Sequence, residues 1–105
     1  LISDCFCKVN DDSTKLYSTG AAVQRAVVWQ MENGCPFMMS WNEMNNVGFV
    51  AAIDSDVIAH EKTEPSAVDG IFCAFHGGAG FLNDWLFENI RLENFQFSLL
   101  SVIIA

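Results

Sequence analysis

Ser40 to Asp54 reads S-W-N-E-M-N-N-V-G-F-V-A-A-I-D, and the class of fold turns on it. Ser40 followed by Glu43 is a capping-box pattern, in which each side chain satisfies an amide at a helix start. Trp41, Met44, Val47 and Ala51 continue at the spacing of one helix face. Gly48 opposes a helix, and Gly48 to Ile53 also suits a buried strand. The cap and the stripe agree, so the segment is expected to be helical.

Working outward, Thr19 to Glu32 is expected to form a second helix. Ser18 caps it. Leu16, Gly20, Val23, Val27 and Met31 fall three or four apart along one stripe. Asn33-Gly34 supplies the stop, because both residues tolerate the left-handed conformation. Strands are expected at Asp4 to Val9, where Cys5, Cys7 and Val9 share a face, and at Gly70 to Phe75, which is apolar on both faces. Cys35 to Met39 reads as an edge strand because Pro36 cannot donate to a ladder.

The remaining segments are connections or short elements. Asn10 to Ser13 forms a polar turn, and His76 to Gly80 a glycine-rich one. Asp54 to Asp69 is a polar connection with one helical turn near Val57 to His60, and Asn83 to Asn89 is a short helix. Phe95 to Ala105 is an apolar tail, either a last core strand or a docking segment; it is too short to span a bilayer. No internal repeat is evident.

The 105 residues suit one domain, residues 1 to 105. Thirteen acidic against five basic residues give a net charge of -8. That balance argues against nucleic acid and anionic membrane surfaces, which need clustered Lys and Arg. No run of 18 apolar residues exists, so no membrane-spanning helix is expected. The four cysteines suit two disulfides. Cys5 and Cys7 point the same way from one strand, so each is expected to reach Cys35 or Cys73. Together with a start at Leu1 instead of Met, this favours a processed, secreted protein.

No complete catalytic or metal motif emerges. His76-Gly77-Gly78-Ala79-Gly80 is like an oxyanion loop, but no Gly-x-Ser-x-Gly elbow accompanies it. Cys73 and His76 could pair as thiolate and base, yet Cys73 sits in the most apolar run of the middle of the chain. Cys5-x-Cys7 is too close for a zinc site, and His60 and His76 are far apart in sequence. Asp54, Asp56 and Glu61 lack the glycine and the final glutamate of a calcium loop. No metal or cofactor is expected. Trp41, Phe81 and Trp85 are the aromatic residues expected to serve a binding surface.

The opening D-C-F-C-K-V-N-D-D-S-T-K-L-Y-S-T-G-A-A resembles fungal small secreted cysteine-rich effectors and virally encoded killer-toxin-like proteins. The matching positions are Cys5 and Cys7, Thr14 and Thr19, Cys35, the run Trp41 to Ile53, and Cys73. Tyr17-Ser18 and Ala51-Ala52 stand where such proteins often carry further cysteines. The resemblance implies an α+β sandwich of ferredoxin-like type, two helices packed on one face of a small antiparallel sheet. It also implies a secreted, non-enzymatic effector or toxin-like protein that binds a protein target in a host or competitor cell. Two other readings compete with it. One is an intracellular interaction subunit docking through Phe95 to Ala105. The other is a small hydrolase using Cys73 or the His76 to Gly80 loop.

Overall fold

Four residues spaced by 21, 29 and 35 positions share one backbone conformation. Asp4, Arg25, Asp54 and Asn89 have φ of 55°, 52°, 51° and 53° in a computed structural model. The structure describes residues 1–43, 45–63, 69–94 and 98–104. Each of the four residues is a left-handed corner between two extended segments, and the corners stack in register. On either side, Ile2, Val23, Ala52 and Phe87 align in one column, and Cys7, Val28, Val57 and Leu92 in another.

The strands are β1 (Ile2–Ser3), β2 (Phe6–Val9), β3 (Thr14–Lys15), β4 (Ala22–Gln24), β5 (Val27–Gln30), β6 (Phe37–Glu43), β7 (Val47–His60), β8 (Gly70–His76), β9 (Leu82–Leu92) and β10 (Ser98–Ile104). Every pairing between them is parallel. One sheet runs β1-β4-β7-β5-β2 with β9 on β7, and the other β10-β8-β6-β3. The chain therefore winds as a parallel β-solenoid, β1-β2-β3, then β4-β5-β6, then β7-β8, then β9-β10. The third and fourth turns run through their corners as single long strands. The shortest dimension of the molecule, 18 Å, matches four layers about 4.8 Å apart.

This overturns the α+β sandwich with its two helices and antiparallel sheet. Among the described residues there is no helix, so none is long and apolar enough to cross a membrane. Thr19 to Glu32 holds β4 and β5, and Ser40 to Asp54 holds the end of β6 and the first half of β7. The helical turn at Val57 to His60 is strand β7, and the short helix at Asn83 to Asn89 is strand β9. The physical cause is the corner residue. A strand points alternate residues inward, but a left-handed residue resets the alternation. Inward positions then run Val23, Ala26, Val28 and again Ala52, Ser55, Val57, a step of three followed by a step of two. Sampled over one corner, such spacing imitates a helix stripe. The same motif is the internal repeat that unequal spacing conceals.

An Asp or Asn tolerates this conformation, whereas a residue such as Arg25 carries a cost of about 1–2 kcal/mol. Stacking supplies compensating bonds. The Asp4 amide donates to the Gln24 carbonyl at 3.2 Å, and the Arg25 amide to the Ile53 carbonyl at 3.1 Å. Arg25 grips Asp4 through Nε and Nη2 at 2.6 and 2.8 Å, and Asn89 Nδ2 donates to Asp54 Oδ1 at 2.8 Å. Arg91 grips Asp56 in the same two-pronged way. A second corner stacks Gly20, Phe49 and Asp84, again with positive φ.

The interior is a set of columns. Phe37 stacks on Phe72 with centroids 5.2 Å apart, and Phe72 on Phe87 at 3.9 Å. Val23, Val28, Val47, Val50, Val57 and Ile71 fill the space beside them and are fully buried. Beyond the fourth turn the core opens into an apolar cleft of about 360 Å³ lined by Phe72, Phe87, Ile90, Leu92, Leu99 and Leu100. Of the expected tail, Ser98–Ile104 forms β10, the edge strand beside β8; residues 95–97 and 105 lie outside the described residues.

All four cysteines are thiols here. The pair that the fold brings together is Cys35 and Cys73, buried with Met38 in a small cluster flanked by Tyr17 and Phe75. Cys5 and Cys7 remain in the first turn, half-buried. This differs from a pairing of each with Cys35 or Cys73, because in a stacked solenoid a residue meets its counterpart in the next layer. The Cys73 thiol donates to the Gly70 carbonyl at 3.2 Å, and Cys5 makes a comparable bond to the Ser3 carbonyl. The hydrogen bond to Cys73 and burial push the Cys35 thiol up, and burial together with Cys5 does the same for Cys7.

Two outcomes follow. Phe72→Ala removes the middle member of the ring column and should cost about 3–5 kcal/mol in urea unfolding; a change under about 1 kcal/mol would mean that the column does not form. Iodoacetamide should label Cys5 and Cys7 slowly in the native protein and reach Cys35 and Cys73 only after unfolding, as read by intact mass.

Candidate active site at the Asp11–Asp12 turn

Residues expected to do no more than turn the chain form a tightly organised polar group. Asn10, Asp11, Asp12 and Ser13 link β2 to β3 in the first solenoid turn. Gln30, at the end of β5 directly beneath Val9, is fully buried and holds them in place. Its Nε2 donates to the Asp11 carbonyl at 2.9 Å and the Asn33 carbonyl at 2.6 Å, with the Asn10 carbonyl at 3.4 Å. Its Oε1 accepts from the Ser13 hydroxyl at 2.6 Å. A buried carboxamide satisfied on both ends locks its surroundings, because breaking any bond strands a polar atom.

The second solenoid turn closes on the first through glycine. Gly34 has φ +79°, and a Cβ there would stand 2.5 Å from the Asp12 amide nitrogen and 2.6 Å from the Asp11 carbonyl carbon. Only glycine admits this approach. It lets the Cys35 amide donate to Asp12 Oδ1 at 2.9 Å, while the Asp12 amide donates to Asp11 Oδ1 at 2.7 Å. The Tyr17 hydroxyl stands 3.5 Å from Asp12 Oδ2.

Two adjacent carboxyls thus occupy unlike settings. Asp11 is exposed, and Asp12 is half-buried. Burial pushes the Asp12 carboxyl above the usual carboxylate range, and the Asp11 charge adds to this; the Cys35 amide, Lys15 and Tyr17 oppose it. A carboxyl that holds its proton more tightly than usual, beside an open one, is an arrangement that suits acid–base chemistry.

Along the same corner, one layer further down, β7 ends at His60 opposite Gln30. His60, Glu61, Lys62, Thr63 and Asn94 line an open polar pocket of about 560 Å³. Burial and the nearby Lys62 charge depress His60, with Asp69 acting the other way. The Thr63 hydroxyl reaches across to Glu32 at 2.6 Å, tying the third layer to the second.

The residues singled out from sequence lie elsewhere. Trp41 is half-exposed on the outer face of the β6–β8 sheet, tilted against Phe75 at 5.4 Å. Phe81 precedes β9, and Trp85 packs against the core with its indole nitrogen buried and without a hydrogen-bond partner among the described residues. His76 is buried at the end of β8. Its Nδ1 lies 3.0 Å from the Ser40 hydroxyl and its Nε2 3.1 Å from the Ala79 carbonyl. The hydroxyl and the ring are both sealed from solvent, so this histidine anchors the glycine turn. Asp54 and Asp56, set aside above as calcium ligands, serve the corner ladder with Asn89 and Arg91. Among the described residues, no three His, Cys, Asp or Glu side chains gather as metal ligands. Asp11 and Asp12 escaped notice because Asp is so common in turns. The available signal was the doubled carboxyl itself, followed closely by Lys15 and Tyr17.

The raised Asp12 has a measurable consequence. A carboxyl whose folded value exceeds its unfolded one loses stability as pH rises between the two. Asp12→Asn keeps the acceptor for the Cys35 amide and removes the charge. The variant should therefore be more stable than the parent to urea at neutral pH, with the difference vanishing below pH 3.8, the ordinary carboxyl value. A variant less stable at neutral pH would mean that Asp12 sits folded as a favoured carboxylate.

No family model matches the chain, and no solved structure does. Over 74 residues, 67% of its length, it is 34% identical to a dextranase of Talaromyces minioluteus. The match covers 12% of that dextranase, so the chain spans about an eighth of the length of the protein it resembles.

Proposed function

We propose that the chain is a catalytic segment of a secreted β-solenoid glycoside hydrolase acting on dextran, with Asp11 and Asp12 at its centre. The observation that carries this reading is the rigid turn holding an exposed carboxylate beside a half-buried, protonation-prone one. The likeness to a dextranase supplies the substrate.

Hydrolysis of a glycosidic bond needs a proton for the departing oxygen and an anion to meet the positive charge developing on the sugar ring. Asp12 suits the first role, since burial keeps its proton available at a higher pH than an exposed carboxyl would. Asp11 suits the second. It is open to solvent, and it takes the proton of the water that attacks the sugar carbon. One water is consumed, the C–O bond breaks, and each fragment leaves with a hydroxyl. Gln30 and Gly34 act as positioning residues that hold both carboxyls before substrate arrives, so that little reorganisation is left for the reaction itself. The charge of -8 is compatible with this, because dextran is uncharged.

Reducing-end release from dextran by the protein should fall at least ~100-fold in Asp12→Asn, the typical contribution of a general acid. The parent's rate should also decline as pH rises through the raised Asp12 value. Isomaltotriose should shift the amide resonances of residues 10–12 and 34–35. Undiminished hydrolysis by Asp12→Asn, or no shift at saturating sugar, would remove this reading.

A further inference from the structure

Lys62 is unusual. Only 5% of it is exposed, yet it is absent from the ion pairs among the described residues, which join Arg25 to Asp4 and Arg91 to Asp56. Burying an ammonium is costly, and the Lys62 nitrogen is not among the buried nitrogens that lack a hydrogen bond in the described residues. Such a residue persists where its head reaches a wet cavity or a ligand while its stem is buried. Lys62 lines the 560 Å³ pocket with His60, Glu61, Thr63 and Asn94.

We propose that this pocket is a second saccharide subsite, in which the Lys62 ammonium and Asn94 hydrogen-bond the hydroxyls of a dextran chain running from the Asp11–Asp12 turn down the same corner of the solenoid. The inference rests on the dextran reading above and deepens it. The placement follows from the register. Val9, Gln30 and His60 are stacked partners, so the segments after them, 10–12, 31–35 and 61–63, occupy successive layers. Asp12 and Lys62 are two layers apart, about 10 Å at the usual strand spacing. That is further than one sugar ring reaches and within the span of an oligosaccharide. Both also lie close enough to Cys35 that their charges act on its thiol in opposite senses.

The pocket's chemistry selects a neutral polyol over an anion. Glu61 lines it, and Asp69 acts electrostatically on His60. These carboxylates offset Lys62 and would oppose a phosphate or carboxylate ligand. They would accept hydrogen bonds from sugar hydroxyls, while Lys62 and Asn94 donate. Mixed donors and acceptors converging in a concave site are what carbohydrate recognition uses.

Calorimetric titration with isomaltotriose and isomaltohexaose tests this directly. In the parent protein the hexaose should bind about tenfold more tightly than the triose, the worth of one or two net hydrogen bonds. Lys62→Met keeps the buried stem and removes the head; it should lower hexaose affinity to the triose level and leave triose affinity unchanged. Asn94→Ala, at an exposed position where folding is not at risk, should remove part of the same gain. A hexaose advantage that survives both substitutions would overturn the subsite and leave the dextran reading standing. Binding of neither sugar by the parent would overturn both. Inorganic phosphate that saturates the pocket and protects Lys62 from acylation, where hexaose does not, would make it an anion site and overturn the proposal.

Discussion

A single left-handed residue at each corner is the constraint on which the rest of the structure depends. Parallel strands cannot be joined by a tight hairpin; the chain must travel right round before it pairs with itself. Asp4, Arg25, Asp54 and Asn89 let it bend without breaking the ladder on either side, and the Asp4 and Arg25 amides still donate to the layer next to them. Once the corners are in register, the columns on both sides follow. Ile2 to Phe87 and Cys7 to Leu92 line up, and Phe37, Phe72 and Phe87 come to stack. Displacing one corner by a single residue would turn every inward side chain of that layer outward.

This explains why much of the fold was hard to read. The strand at Gly70 to Phe75 was legible, since it is buried on both faces and reads as an unbroken apolar run. Asp4 to Val9 was legible in part, as β2 after the first corner. The two expected helices were not, for one shared reason. The stripe pairs Val23 and Val27, and Val47 and Ala51, span the left-handed corners at Arg25 and Phe49, where the reset alternation leaves apolar residues four apart. The capping-box pattern of Ser40 and Glu43 strengthened the error. Ser40 is in fact buried within a strand, hydrogen-bonded to His76 and to the Phe75 carbonyl. The repeat was invisible to any fixed period, because its spacing grows from layer to layer while its geometry does not change.

The candidate site was even less legible, because its character comes from contacts between layers. Nothing local to Asn10-Asp11-Asp12-Ser13 tells an ordinary turn from an organised one. What sets it apart is Gln30, seventeen residues beyond Ser13 and buried beneath it. Gly34 gives a related lesson. Sequence suggested a helix stop from its taste for positive φ; the φ is indeed positive, but the glycine is there to let the next layer approach Asp11 and Asp12.

Stacking also decides where function can sit. Every residue in the ladders is tied to the layers beside it, so strands have little freedom to acquire new roles. Connections do. In the segments joining the second face of the solenoid to the third, residues 10–13, 31–36 and 61–63 occupy successive layers, tied by the Cys35 amide to Asp12 and by the Thr63 hydroxyl to Glu32. A polar loop laid on a rigid ladder inherits its precision, which is how functional loops on scaffolds generally work. Here the ladder does more than support. The side chain of Gln30 points out of the regular stack into the turn above it, so the last residue of a strand is also the clamp of the site. The stability of the solenoid and the geometry of Asp11 and Asp12 are therefore coupled through one buried carboxamide. A substitution that loosens the second layer should disturb the carboxyls well before it unfolds the chain.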